Sequence, residues 1–160
     1  MTTAVDTNAL IALLYDDAYS SDSEAELRRA YREGRLVTTS VVYAELAADG
    51  HFESTSELDR FLEDLSIQLV EPSRLALFRA GMQFQRYVER RPDGLQCPSC
   101  GTKRSVDCRE CGDGLTPRQH IAADFIIGAH ATVEADSLIS FDTAFYRTYF
   151  SSLTVYPDCV

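Results

Sequence analysis

Apolar positions along the chain fall into short runs that alternate between strand-like and helix-like spacing. Residues 3–5 form a short apolar run that stops at Asp6 and predicts a strand. Residues 8–15 predict a helix, opened by Asn8, a residue type suited to capping. Residues 21–32 read as a second helix, with Ser21 and Glu24 at capping-box spacing and Gly34 as its stop. A strand is predicted over 36–38, and a helix capped by Ser40 over 41–48. A helix over 56–65 and a strand over 67–70 follow, and then a long helix from Pro72 to about 91. Farther on, Pro117 opens a helix predicted to run to about 134. A strand over 137–141 ends at Asp142, and a short aromatic helix over 144–150 precedes a last strand over 153–156. Strands separated by helices predict an α/β fold, with a parallel sheet covered on both faces. No internal repeat is visible. Residues 93–116 break the pattern with four glycines, one proline and four of the five cysteines, and read as an insertion into one domain spanning 1–160.

Composition agrees with one folded domain. At 160 residues and 45% hydrophobic content the chain can bury a core, which excludes disorder as its main state. No uninterrupted apolar run approaches the roughly 18 residues of a membrane span. The N-terminus has no signal-type pattern, so a cytoplasmic location is expected. The net charge is −10, and Lys103 is the only lysine, a balance that suits a high-salt cytoplasm. Bulk charge therefore does not advertise nucleic-acid binding. In high salt, however, counterion release adds little to affinity, so an acidic protein can still act on a nucleic acid. Arg28, Arg32 and Arg35 have the spacing of one helix face.

The insertion reads Cys97-Pro98-Ser99-Cys100-Gly101 and then Cys108-Arg109-Glu110-Cys111-Gly112. A Cys-x2-Cys turn aims two thiolates at one point, and the following glycine permits the positive φ of such a turn. Two such turns supply four sulfurs, which is tetrahedral Zn²⁺ coordination with no open position, hence a structural site. Two disulfides or four unrelated thiols are the alternatives, and a cytosolic setting disfavours disulfides. Cys159, near the C-terminus, reads as an ordinary thiol. Lys103, Arg104 and Arg109 lie in this segment and are candidate RNA contacts.

Four carboxylates stand in apolar surroundings. Asp6 and Asp142 end predicted strands; Glu45 and Asp124 are lone charges in apolar helical runs near helix starts. In a doubly wound sheet both kinds of position face the crevice at the carboxyl edge. Any one of these acids could be a cap or half of an ion pair. Together they repel one another unless a cation neutralises them. Their hard oxygens select Mg²⁺ or Mn²⁺, which can position a phosphodiester and activate water.

Val5-Asp6-Thr7-Asn8-Ala9-Leu10, Glu45, Asp124 and Leu138-Ile139-Ser140-Phe141-Asp142-Thr143-Ala144-Phe145, in this order, resemble the PIN-domain ribonucleases. The size and compact ending resemble the VapC toxins of toxin–antitoxin pairs. The resemblance covers the chain apart from 93–116. It implies a three-layer α/β/α sandwich with a central parallel sheet, a divalent metal, endoribonuclease activity on an RNA substrate, a small antitoxin partner and a homodimer. Residue by residue it makes Asp6, Glu45, Asp124 and Asp142 the acidic quartet, with Asp6 and Asp124 as direct metal ligands and Asn8 and Ser140 as polar helpers. For the dimer it points to the apolar residues 10–15 and 43–46. The insertion departs from typical VapC toxins. It leaves open a PIN-type nuclease that processes ribosomal or transfer RNA, or a non-catalytic zinc-containing adaptor for RNA or protein.

Overall fold

The computed structural model describes residues 1–90, 94–97, 100, 102–115 and 122–157. Cys159, the predicted helix start at Pro117 and the predicted helix end at Arg91 lie outside them.

Strand β1 (Thr2–Val5) leads into helices α1 (Thr7–Tyr15) and α2 (Ser20–Glu33). Strand β2 (Arg35–Thr39) is followed by α3 (Ser40–Asp49) and α4 (Thr55–Asp64), and β3 (Ile67–Val70) by α5 (Arg74–Arg90). The insertion holds β4 (Leu95–Gln96) and β5 (Lys103–Arg104). The chain ends with α6 (Ala123–Glu134), β6 (Ser137–Ile139), α7 (Thr143–Tyr149) and β7 (Val155–Tyr156). The fold is α/β, with seven helices among the described residues and a central sheet of order β3-β2-β1-β6-β7, parallel throughout. None of these helices is long and apolar enough to cross a membrane.

The buried central strand β1 has β2 on one side and β6 on the other, so the strand order reverses between β1 and β6. That reversal opens a crevice at the carboxyl edge of the sheet. The core gathers Leu10, Leu36, Leu46, Leu58, Ile127 and Leu138. On its α6 side it is aromatic: Phe125 meets the rings of Phe84, Tyr87, Phe145, Tyr149 and Phe150 edge-on or tilted. Gly128 lets α6 approach Phe150 closely, since a Cβ there would lie 2.5 Å from the ring.

Several local expectations are corrected. The second helix starts at Ser20 because the Asp17 carboxylate accepts from Tyr19 N–H at 2.8 Å, so Ser21 and Glu24 form no capping box. Ser40 lies inside α3 and donates to Glu71 at 2.8 Å; Thr39 occupies the cap position. Arg35 is on β2, off the helix face that carries Arg28 and Arg32. Leu10 and Leu46, expected at a dimer surface, are wholly buried in the core. Strand β6 stops at Ile139, short of the predicted end at 141, although Ser140 N–H still donates to the Tyr156 carbonyl of β7 at 2.9 Å.

Candidate active site

Strands β1 and β6 run side by side with Val5 opposite Ile139, so their following residues arrive together at the carboxyl edge. There Asp6 N–H donates to the Ile139 carbonyl at 3.0 Å. The buried Asp6 carboxylate accepts four hydrogen bonds. Oδ1 takes Thr7 N–H at 2.7 Å and so caps α1, a role expected of Asn8. Oδ2 takes Ser140 Oγ at 2.7 Å, Asn8 Nδ2 at 3.0 Å and Tyr146 Oη at 3.0 Å. Three donors saturate Oδ2, while Oδ1 keeps spare acceptor capacity.

Asn8 and Ser140 hold one another as well as Asp6. Asn8 Nδ2 also donates to Ser140 Oγ at 3.0 Å, and its Oδ1 accepts Phe141 N–H at 3.0 Å. Asp142 N–H donates to Ser140 Oγ at 3.1 Å, and Asp142 Oδ1 caps α7 through Phe145 N–H at 3.2 Å. From the facing helix α3, Glu45 Oε2 accepts from Thr7 Oγ1, tying α3 to the first turn of α1. Asp124 is the second residue of α6.

Asp6, Glu45 and Asp124 line one open cleft of about 510 Å³, together with Thr7, Asn8 and Asp49. Burial pushes Asp124 up to about 6, and the negative charges of Asp6, Glu45 and Asp142 add to the rise. Asp6 is also raised. Burial dominates, the bonds from Ser140, Tyr146 and Thr7 oppose it, and the Glu45 charge reinforces it. The four predicted acids therefore act on one another electrostatically, although Asp142 is exposed and does not line the cleft.

Among the described residues no three His, Cys, Asp or Glu side chains enclose a single point. The acids form a rim rather than a closed cage. That arrangement fits Mg²⁺ or Mn²⁺. Such ions take oxygen ligands, and Mg²⁺ keeps several waters while binding through one or two carboxylates. Oδ1 of Asp6, Glu45 and Asp124 would hold it.

Three residues escaped the sequence reading: Thr7 and Asp49, which line the cleft, and Tyr146, buried behind Asp6. Thr7 lies within the quoted motif, and Asp49 is four residues after Glu45 on the same helix face, so spacing could have found both. Nothing in the sequence separates the Tyr146 hydroxyl from those of its neighbours in the aromatic run. The cysteines 97, 100, 108 and 111 are free thiols on the insertion; Lys103, Arg104 and Arg109 are exposed there, and none of the seven lines the cleft.

The sequence model of the PIN domain matches residues 3–100. The match takes in Asp6 and Glu45 and ends within the insertion, ahead of Asp124 and Asp142. The structure of VapBC2 from Rickettsia felis, bound to a DNA fragment from its promoter, is similar at 14% identity and a TM-score of 0.60, over 97% of each chain. VapBC-1 from nontypeable Haemophilus influenzae is similar at 18% identity and a TM-score of 0.59, over 97% of this chain and 96% of the other. At these identities the likeness is one of fold. No curated protein matches the chain in sequence.

Proposed function

The chain belongs to the PIN-domain family, and from that premise we propose that it is a metal-dependent endoribonuclease, the toxin of a VapBC-type pair. The observation that carries this reading is the convergence of Asp6, Glu45 and Asp124 on one cleft at the sheet's switch point, where burial, reinforced by mutual repulsion, holds Asp124 near 6. Bound there, Mg²⁺ or Mn²⁺ supplies Lewis-acid polarisation of the phosphodiester and lowers the pKa of water.

The chain's own residues do the positioning. Ser140, Asn8 and Tyr146 fix the Asp6 carboxylate by its Oδ2, which leaves Oδ1 directed to the cation. Thr7 holds Glu45 against the same cleft. Asp124 supplies a second direct ligand, and Asp142 adds negative potential while capping α7. Lys103, Arg104 and Arg109, exposed on the insertion, offer cations to the RNA backbone. A small antitoxin is the partner, and the active form is a cytoplasmic homodimer.

Incubating the purified protein with total RNA tests the reading. Cleavage in Mn²⁺ that stops on adding EDTA is the expected result. No cleavage with Mn²⁺ or Mg²⁺, or cleavage indifferent to EDTA, contradicts it.

A further inference from the structure

The insertion is one hairpin built twice. In the first copy Gln96 pairs antiparallel with Lys103, and Leu95 with Arg104. In the second Asp107 pairs antiparallel with Gly114, and Leu115 N–H donates to the Val106 carbonyl at 2.6 Å. Every position of the second copy lies eleven residues after its counterpart in the first. The turns match too. Cys97 N–H donates to the Thr102 carbonyl at 2.9 Å, and Cys108 N–H to the Asp113 carbonyl at 2.7 Å. Cys100 Sγ donates to Thr102 Oγ1 at 3.3 Å, and Cys111 Sγ approaches Asp113 Oδ2 at 3.7 Å in the corresponding place. Each hairpin thus carries a Cys-x2-Cys pair at its tip.

Backbone bonds hold both tips. Gly112, at φ 80°, closes the second tip and donates to the Cys108 carbonyl at 2.9 Å. At the base of the first hairpin Gly94, at φ 109°, packs so closely on Arg104 that a Cβ would lie 2.4 Å from its carbonyl oxygen.

Among the described residues no apolar core joins the two hairpins: Leu95, Val106 and Leu115 are all exposed, and Ser105 alone separates Arg104 from Val106. The four sulfurs do not already enclose one point.

We propose that Cys97, Cys100, Cys108 and Cys111 bind one Zn²⁺ per chain, two thiolates from each hairpin, and that the ion joins the two tips. Soft thiolates in a tetrahedral set of four select Zn²⁺ over the hard cations suited to the carboxylate cleft. Protein fills all four positions, so the ion is structural, and its binding supplies the stability that the coreless pair of hairpins lacks. The site is independent of the nuclease reading and stands whether or not the chain cuts RNA.

The test is zinc content, by elemental analysis of the full chain purified without chelators. One zinc per chain is expected, both in the wild type and in an Asp6→Asn/Asp124→Asn variant that removes oxygen donors from the cleft. Cys97→Ser and Cys108→Ser should each lose the whole ion on dialysis against a chelator that leaves the wild type loaded, since one ion needs both hairpins. Co²⁺ exchanged into the wild type should give the charge-transfer and ligand-field bands of four thiolates, a readout that needs no variant to fold. Absence of zinc, loss of zinc in the aspartate variant, half the zinc surviving in either serine variant, or a cobalt spectrum without thiolate bands would each overturn the proposal. Disulfides found by thiol titration of the freshly purified chain would overturn it as well.

Discussion

Tyr146 Oη donates to Asp6 Oδ2 at 3.0 Å, a bond between two buried residues that fixes α7 to the end of β1. It is one of three bonds that occupy Oδ2 and set the carboxylate's orientation. Tyr146→Phe should leave Ser140 and Asn8 in place and cost about 1–2 kcal/mol of stability, read from urea unfolding. Because the bond from Tyr146 holds Asp6 down, its loss raises Asp6 further. Protons then compete with the cation up to a higher pH. The pH at which Mn²⁺ binding is half lost, followed by calorimetry, should move upward. An unmoved midpoint contradicts this role.

The metal-free protein should grow more stable, through Asp124, as pH falls. Asp124 lies near 6 in the fold, against an ordinary value of 3.8. Between those values the folded chain holds a proton that the unfolded chain releases, so this contribution appears as pH drops through 6 and is complete near 4. Allowing for its partial exposure, the contribution is about 1–2 kcal/mol. Buried His130 works in the opposite sense. Burial lowers it against the pull of Glu134, so its neutral form is favoured and its contribution is lost on acidification. The comparison of wild type with Asp124→Asn separates the two. By urea unfolding in EDTA, Asp124→Asn should be the more stable at about pH 7.5, with the gap closing by about pH 5. Equal stability at the higher pH contradicts the raised value of Asp124.

Gly128→Ala should destabilise the fold, although alanine is the better helix former. Helix propensity favours alanine by about 1 kcal/mol. The added Cβ, however, meets the Phe150 ring at 2.5 Å and 2.7 Å, and crowding a packed core costs about 1–3 kcal/mol. A net loss of up to about 2 kcal/mol is expected in thermal or urea unfolding. Phe150→Leu in the same chain should recover part of it. A more stable Gly128→Ala variant contradicts the close packing of α6 on Phe150.

The order of strands and helices was legible because each apolar run kept one period, and Gly34 and Pro72 punctuated it. Asp6 was legible as the end of a strand, and Asn8 and Ser140 only through the family resemblance. Asp6 and Ser140 meet because residues that follow neighbouring parallel strands arrive together, and β1 and β6 are neighbours. Glu45 and Asp124 stood out as single charges in apolar helical runs. Helix starts were less legible, since the bond from Tyr19 N–H to the Asp17 carboxylate overrode the serine–glutamate spacing in α2. Tyr146 was hidden because tertiary packing alone selects one hydroxyl in a run of aromatic residues. The repeat within the insertion was hidden because it resides in backbone pairing. Beyond cysteine and glycine the two copies share little side-chain chemistry, while Gln96–Lys103 and Asp107–Gly114 pair alike.

The most direct test of the proposed activity joins Mn²⁺ binding and RNA cleavage in the wild type and in Asp6→Asn. The wild type should bind Mn²⁺, as read by electron paramagnetic resonance, and cleave RNA. With its fold intact by circular dichroism, Asp6→Asn should bind the ion more weakly and cleave at least about 100-fold more slowly, the loss expected when several kcal/mol of metal-assisted stabilisation is removed. A folded Asp6→Asn variant that cuts RNA at the wild-type rate would contradict the assignment of the cleft.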